Sequence, residues 1–272
     1  MIYFGTFAFL IGASIGSFLN VCISRWPAEL SVVSPRSRCP RCEKPIAWYD
    51  NLPLLSWVLL RAKCRGCALP ISAQYPLVEL LVGALWATIF VTFGPTLTAL
   101  RIAIGVTILL GISITDLKHY VIPDGFTVFG FLFAIVMPVV VIFVGDQGPF
   151  AGPWDALIGA CVGAGMIAIV GWLGEVALGK EAMGQGDVTL MAFVGAMVGP
   201  ERALLTVFVA ALIGTVVFVL AVIPVGTLRA RARGESFELP LVPFGVFLAP
   251  AGAFTLLWGH ALTDWYFATL IG

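Results

Sequence analysis

Two sets of residues have the types and spacing to do chemistry. The first is a pair of aspartates. Asp187 ends the run Gly184-Gln185-Gly186-Asp187 and opens a long apolar stretch, while Asp116 closes another. A carboxylate beside hydrocarbon costs a few kcal/mol on insertion scales, which makes it a functional candidate by default. The glycines before Asp187 lack a Cβ and let another chain approach closely. Two carboxylates within hydrogen-bonding reach cannot both ionise easily, so one keeps a proton. The ionised member then draws a proton from water, the water attacks a peptide carbonyl, and the protonated member donates to the oxyanion and leaving amine. Asp116 and Asp187 are therefore expected to face each other as a catalytic pair. Capping is the competing reading. It suits Asp187 as an N-cap and explains Asp116 poorly, because a helix C-terminus disfavours negative charge. Asp124, in Ile122-Pro123-Asp124-Gly125, fits capping better than catalysis.

The second set is Cys39-Pro-Arg-Cys42 and Cys64-Arg-Gly-Cys67. Two Cys-x-x-Cys knuckles supply four thiolates, the ligand set of tetrahedral zinc at about 2.3 Å per sulfur. Metal is the stronger reading in a reducing cytosol, where disulfides are rare, and a redox role is awkward for two such pairs. Four thiolates fill the zinc shell and leave no position for water, so the expected metal is structural. Cys22 and Cys161 sit alone in apolar runs, where free cysteine behaves as a small buried hydrophobe.

The elements that position these groups follow from composition. The chain of 272 residues is 60% apolar and 11% charged, with a mean hydropathy of +1.03. Soluble domains run at about 45–50% and about 25%. The expected fold is an all-α polytopic membrane protein with about eight transmembrane helices, at 3–23, 77–94, 99–116, 125–145, 155–178, 187–199, 203–226 and 243–270. A small cytosolic zinc-binding module follows the first. The organisation reads as a first helix (1–24), the cysteine module (25–75) and a membrane peptidase domain (76–272). The first apolar run lacks a basic region in front and reads as a retained span, not a signal peptide. Zero formal net charge gives no support to nucleic-acid binding.

Of the 15 Lys and Arg residues, 13 fall in the segments after spans one, three, five and seven. The bias of basic residues toward the cytoplasm puts those segments in the cytosol. Arg101 precedes Asp116 by 15 residues and Arg202 follows Asp187 by 15, about 22 Å of helix in each case. With both arginines at the outer interface, the two carboxylates lie at equal depth near the cytosolic face. Other polar residues have plainer readings. His260 is interfacial or paired, and Arg229, Arg231 and Arg233 form a basic loop anchoring topology. Asp146 and Asp155 are loop or cap residues, and Glu175 reaches for the interface.

Taken together, these residues resemble the bifunctional type IV prepilin leader peptidases and N-methyltransferases. The resemblance runs through Ser17-Phe-Leu-Asn20-Val-Cys-Ile-Ser-Arg25-Trp-Pro27, the two cysteine pairs enclosing Asn51-Leu-Pro-Leu-Leu-Ser-Trp57, and Tyr75-Pro-Leu-Val-Glu79. It continues through Asp116-Leu-Lys-His-Tyr-Val-Ile-Pro-Asp124, Gly179-Lys-Glu181 leading to Gly184-Gln-Gly-Asp187, and Pro243-Phe-Gly245. The resemblance implies a GxGD-type aspartyl dyad at Asp116 and Asp187 in a bacterial inner membrane. Its substrates would be type IV prepilins and type II secretion pseudopilins, cut after a glycine behind a basic leader at the cytosolic face. The new N-terminus would be methylated from S-adenosylmethionine, with Asn20, Arg25 and Glu79 as the expected surroundings of the methyl donor. Family precedent also gives zinc to the four cysteines. Two positions depart from the pattern, Ala182 where glycine is common and Gln74 where arginine is common. No Gly-x-Gly-x-x-Gly turn follows a strand, so the methyl-donor site lacks the usual nucleotide cradle, and Glu79 also reads as an interfacial residue.

Three other functions compete. A proton- or cation-coupled transporter would use buried carboxylates but leaves the thiolate module without a purpose. A presenilin-type protease would place Tyr before its first Asp, where Thr115 stands here, and would carry a Pro-Ala-Leu motif that this chain lacks. An inactive zinc-stabilised scaffold is the third.

Overall fold

The structure, a computed structural model, describes residues 2–145, 151–179, 183–233 and 242–270. Asp146, Lys180, Glu181 and Ala182 lie outside the described residues. The described chain is helical, with α1 (Ile2–Arg25), α2 (Leu55–Leu59), α3 (Gln74–Phe93), α4 (Leu97–His119) and α5 (Asp124–Val144) in order. They are followed by α6 (Pro153–Leu178), α7 (Gln185–Val198), α8 (Pro200–Val217), α9 (Ile223–Arg233) and α10 (Gly245–Leu270). Among the described residues no strand forms, and only two isolated bridges occur, both in the cysteine segment.

Among the described residues, seven helices are long and apolar enough to cross a bilayer. The segment expected at 187–199 is the exception. Helix α7 has 14 residues, about 21 Å of rise against a hydrocarbon core of about 30 Å. Gly199, at φ 87°, turns the chain directly into α8. The 15 residues between Asp187 and Arg202 are therefore not one helix, and the depth argument drawn from them does not hold. The basic loop expected at Arg229–Arg233 is also helical. A five-residue π turn, Phe218–Val222, carries α8 into α9, which contains all three arginines. Cys22 is buried as expected, but Cys161 is exposed on α6.

The chain divides into two compact units, residues 1–111 and 112–272. In the first, α1 packs chiefly against α3. Contact is close because small residues face the partner: a Cβ on Gly12 would lie 2.6 Å from Trp86 Cβ. Such small-residue seams let apolar helices meet in lipid, where no hydrophobic force drives them together. Trp86 Nε1 donates to Thr107 Oγ1 at 3.0 Å, tying α3 to the middle of α4.

The second unit is built around α7, which packs against α5, α6, α8 and α10. Leu190, Met191, Phe193 and Val194 are all within 1% of full burial. The tightest seam joins α6 to α7. There Gly159 and Gly195 stand backbone to backbone, and a Cβ on either would collide with the other's carbonyl. The hydroxyls of Thr206 and Thr255, 2.6 Å apart, link α8 to α10 inside the unit.

Candidate active site and metal centre

Asp116 occupies the last turn of α4 and is 4% exposed. The backbone N–H of Val246, at the start of α10, donates to its carboxyl, while Oδ2 has no hydrogen-bond partner among the described residues. Gly245 makes this approach possible. A Cβ there would lie 2.6 Å from Asp116 Oδ2 and 2.8 Å from Ile122 Cδ1.

Asp187 is the third residue of α7 and is 8% exposed. Gly184 stands at the N-cap, so Asp187 is not the cap residue itself. Its N–H donates to Gly184 O at 3.1 Å, and its carboxyl accepts from the Gly184 N–H. The second bond is one half of a capping box, the third helical residue reaching back to the cap N–H, while the glycine cap has no side chain to return it. The capping reading is thus partly correct, but it leaves the second carboxyl oxygen available for other work. Asp116 and Asp187, 71 positions apart in the chain, are connected through one side chain, Ile122. Ile122 fills the space beside both. It packs against Gly186, where a Cβ would be 2.9 Å from Ile122 Cβ, and against Gly245. Sequence reasoning did not assign Ile122, Gly245 or Val246. The available signal was Pro243-Phe-Gly245, a bare glycine at the first position of a long helix.

Asp124 sits exposed in the first turn of α5, and His260 pairs with Asp264 at 2.5 Å.

The four cysteines converge. Their sulfurs all lie within 4.8 Å of one another, and the Cys39 and Cys67 sulfurs are 3.9 Å apart. Tetrahedral zinc with bonds of about 2.3 Å requires sulfurs about 3.8 Å apart, so the residues fit the metal. The two knuckles repeat one design 25 residues apart, Cys-x-x-Cys-x-x-Pro-Ile in both cases. Cys39 N–H bonds Lys44 O at 3.0 Å and Cys64 N–H bonds Leu69 O at 2.9 Å. Glu43 and Ala68 both take positive φ, at 56° and 58°, and donate back to Cys39 O and Cys64 O. The backbone N–H groups of Cys42 and Arg41 draw the Cys39 thiol down to about 6. Leu69 N–H pulls on Cys67 in the same direction, but burial and the neighbouring thiols push it up to about 11. Asp50, from the segment between the knuckles, accepts two bonds from Arg65, both 2.7 Å. That guanidinium holds its carboxyl below the usual carboxylate range.

The three residues expected around a methyl donor hold the module to its helices. Asn20 Nδ2 donates to Tyr75 O at 3.1 Å, Arg25 Nη1 donates to Ser31 O at 2.9 Å, and Glu79 Oε2 accepts Leu54 N–H at 2.8 Å. Ser17 also bonds Glu79. Of the three, Asn20 retains an open valence: its Oδ1 is buried without a partner among the described residues.

A family model described as the bacterial peptidase A24 N-terminal domain matches residues 10–93. A second, described as the type IV leader peptidase family, matches residues 103–219. Curated relatives named prepilin leader peptidase/N-methyltransferase include one from Myxococcus xanthus, 42% identical over 86% of this chain and 68% of its own length. One from Aeromonas hydrophila is 34% identical over 99% of this chain and 96% of its own. Another from Stutzerimonas stutzeri is 34% identical over 95% and 92%. No solved structure matches the chain. With both family models in chain order and relatives aligned from end to end, the chain belongs to the type IV leader peptidase family, in the branch of the prepilin leader peptidases/N-methyltransferases.

Proposed function

We propose that this protein removes the basic leader of type IV prepilins and type II secretion pseudopilins by aspartyl proteolysis, cutting after a glycine at the cytosolic face of a bacterial inner membrane. One observation carries the reading: Asp116 and Asp187, from α4 and α7, are each nearly closed to solvent, and Ile122 packs both against Gly186, the neighbour of Asp187, and against Gly245, which abuts Asp116 Oδ2. In this mechanism one aspartate is ionised and takes a proton from water. The other, protonated, donates to the scissile carbonyl and then to the leaving amine. The unpartnered Asp116 Oδ2 supports its having a proton to pass. The Val246 N–H fixes the orientation of the Asp116 carboxyl, and the Gly184 N–H does the same for Asp187. The cytosolic assignment rests on the distribution of Lys and Arg.

The names of the relatives support a second activity, N-methylation of the new terminus from S-adenosylmethionine, which supplies an electrophilic methyl group when bound. The open Asn20 Oδ1 is the feature of this chain that favours a hydrogen-bonding ligand there. Arg25 and Glu79 act by holding Ser31 and Leu54 in place. Zinc, held by Cys39, Cys42, Cys64 and Cys67, supplies folding free energy to a segment with little core.

The test is purified protein with a prepilin and S-adenosylmethionine, the products read by mass spectrometry. Wild type is expected to release the leader and add one methyl group. Asp116→Asn and Asp187→Asn are expected to release none while keeping zinc. Normal cleavage by either variant removes that residue from the mechanism, and cation-coupled transport without cleavage would replace the reading altogether.

A further inference from the structure

The cysteine module has an apolar face that its own fold leaves open. Leu55, Val58 and Leu59 of α2 are 53%, 65% and 70% exposed. Their spacing of three and four residues puts them on one side of that helix. The other side is anchored, since Ser56 is 7% exposed and its hydroxyl donates to Tyr49 O at 3.0 Å. Trp57 Nε1 donates to Ile71 O at 3.4 Å. The outward leucines and valine therefore belong to a fixed turn of helix.

The position of that turn is set by Glu79. Its Oε2 holds the N–H of Leu54, the residue before α2, at 2.8 Å. Glu79 is the sixth residue of α3, a membrane-length helix of 20 residues. Twenty residues rise about 30 Å, the thickness of the hydrocarbon core, and Glu79 lies about 7.5 Å from the helix start. Amphipathic helices at a bilayer surface bury their apolar face about 5–10 Å into the headgroup and acyl boundary. The start of α2 is thus tied at the depth where an interfacial helix sits.

The charge of the module selects the kind of surface. Residues 26–73 contain seven Lys and Arg against three Asp and Glu, and all seven basic residues are exposed. Asp50 is already paired with Arg65. A basic excess beside an apolar face is complementary to anionic headgroups and repels a basic peptide.

We propose that α2 is an in-plane anchor that seats the zinc module on an anionic lipid surface, with Leu55, Val58 and Leu59 in the headgroup and acyl boundary. The test uses full-length protein carrying Cys161→Ala, which removes the exposed thiol on α6. A single nitroxide is placed at Leu55→Cys, Val58→Cys or Leu59→Cys, with Arg36→Cys as the aqueous reference. Each variant is reconstituted in nanodiscs of phosphatidylcholine with or without phosphatidylglycerol, and its zinc content reports that the module is folded. The α2 labels are expected to relax several-fold more with oxygen than with a water-soluble nickel chelate, and the reference label the reverse. Omitting phosphatidylglycerol is expected to shift the α2 labels toward the chelate. Labels on α2 as open to the chelate as the reference overturn the proposal. So does protection that arises only when a prepilin is added, which would give the apolar face to the substrate.

Discussion

The cysteine module and the aspartate site reach chemical order by opposite routes. The module takes its four ligands from 29 consecutive residues, 39–67, and shapes them with hydrogen bonds spanning only a few positions. It has almost no interior: Cys39 and Ser56 are the only buried residues among 26–73, so a metal held by the four thiols would supply much of its stability. The aspartate site draws residues 116, 122, 186, 187, 245 and 246 from four parts of the chain. It is held by helix packing in which glycines let backbones close on one another. A site built from local turns can be lost by removing one ion. One built from long-range packing depends on small volumes being left empty far from each other in sequence.

The contrast can be broken by experiment. The largest effect is expected from Asp116→Asn or Asp187→Asn, since removing a general acid or base costs on the order of 10²–10⁴ in rate. Cleavage should fall to background while zinc content stays at wild type. A variant that also loses zinc would show that the two regions are not independent. Next is metal removal by a strong chelator. Structural zinc in small modules is worth about 10–16 kcal/mol at pH 7. Hydrogen exchange should therefore rise toward the unfolded rate across residues 37–46 and 62–71, while the core of α7 keeps its protection. Equal loss of protection in α7 would sink the comparison.

A smaller effect is expected from Gly245→Ala. The added methyl would meet Asp116 Oδ2 at 2.6 Å and Ile122 Cδ1 at 2.8 Å. Overpacking of about 1–3 kcal/mol, if felt in the transition state, lowers kcat by about 5- to 150-fold. Combining it with Ile122→Val relieves only the contact with isoleucine. Full rescue would mean that Gly245 serves packing alone, whereas a persistent kcat defect with unchanged KM locates the effect at the carboxyl.

Zinc affinity should respond to pH in the neutral range. Metal binds thiolates, Cys39 loses its proton near 6, and Cys67 retains its own up to about 11. Binding must therefore release protons, and affinity should rise from pH 6 to pH 8, measured by competition with a chromophoric chelator. A flat profile would contradict this protonation pattern. The smallest effect belongs to Asp50→Asn. The Asp50 carboxyl is held below its ordinary range by Arg65. The pair's contribution is therefore present above the unfolded carboxyl pKa and disappears as pH falls through the lower folded value. The variant should show slightly faster exchange around residues 61–71 at neutral pH and match wild type in acid. An equal difference at both pH values would point to lost packing instead.

Much of this molecule was legible from residue types and short spacings. Backbone groups inside lipid must be satisfied within the segment, so long apolar runs required helices; about eight were expected, and seven among the described residues are long and apolar enough to span. Two Cys-x-x-Cys pairs bring four thiols within 4.8 Å of one another because each knuckle is a local turn whose geometry depends on its own few residues. The nearness of Asp116 and Asp187 was inferred from charge, but the depth count behind it assumed one continuous helix to Arg202. Gly199, at φ 87°, ends that helix where the apolar run itself stops, at Gly199-Pro200-Glu201-Arg202, so the count across it overran a boundary already marked in the sequence.

What tertiary structure alone decided was where empty space lies. Gly245 against Asp116, Ile122 against Gly186, and Gly159 against Gly195 each depend on two helices meeting at one height and one rotation. Hydropathy assigns a residue to lipid or water but carries no information about which neighbour it faces. The amino acids determined that carboxylates would be buried and that thiolates would gather. Which backbone N–H steadies each carboxyl, and which missing methyl makes room for it, was decided by the packing of helices far apart in the chain.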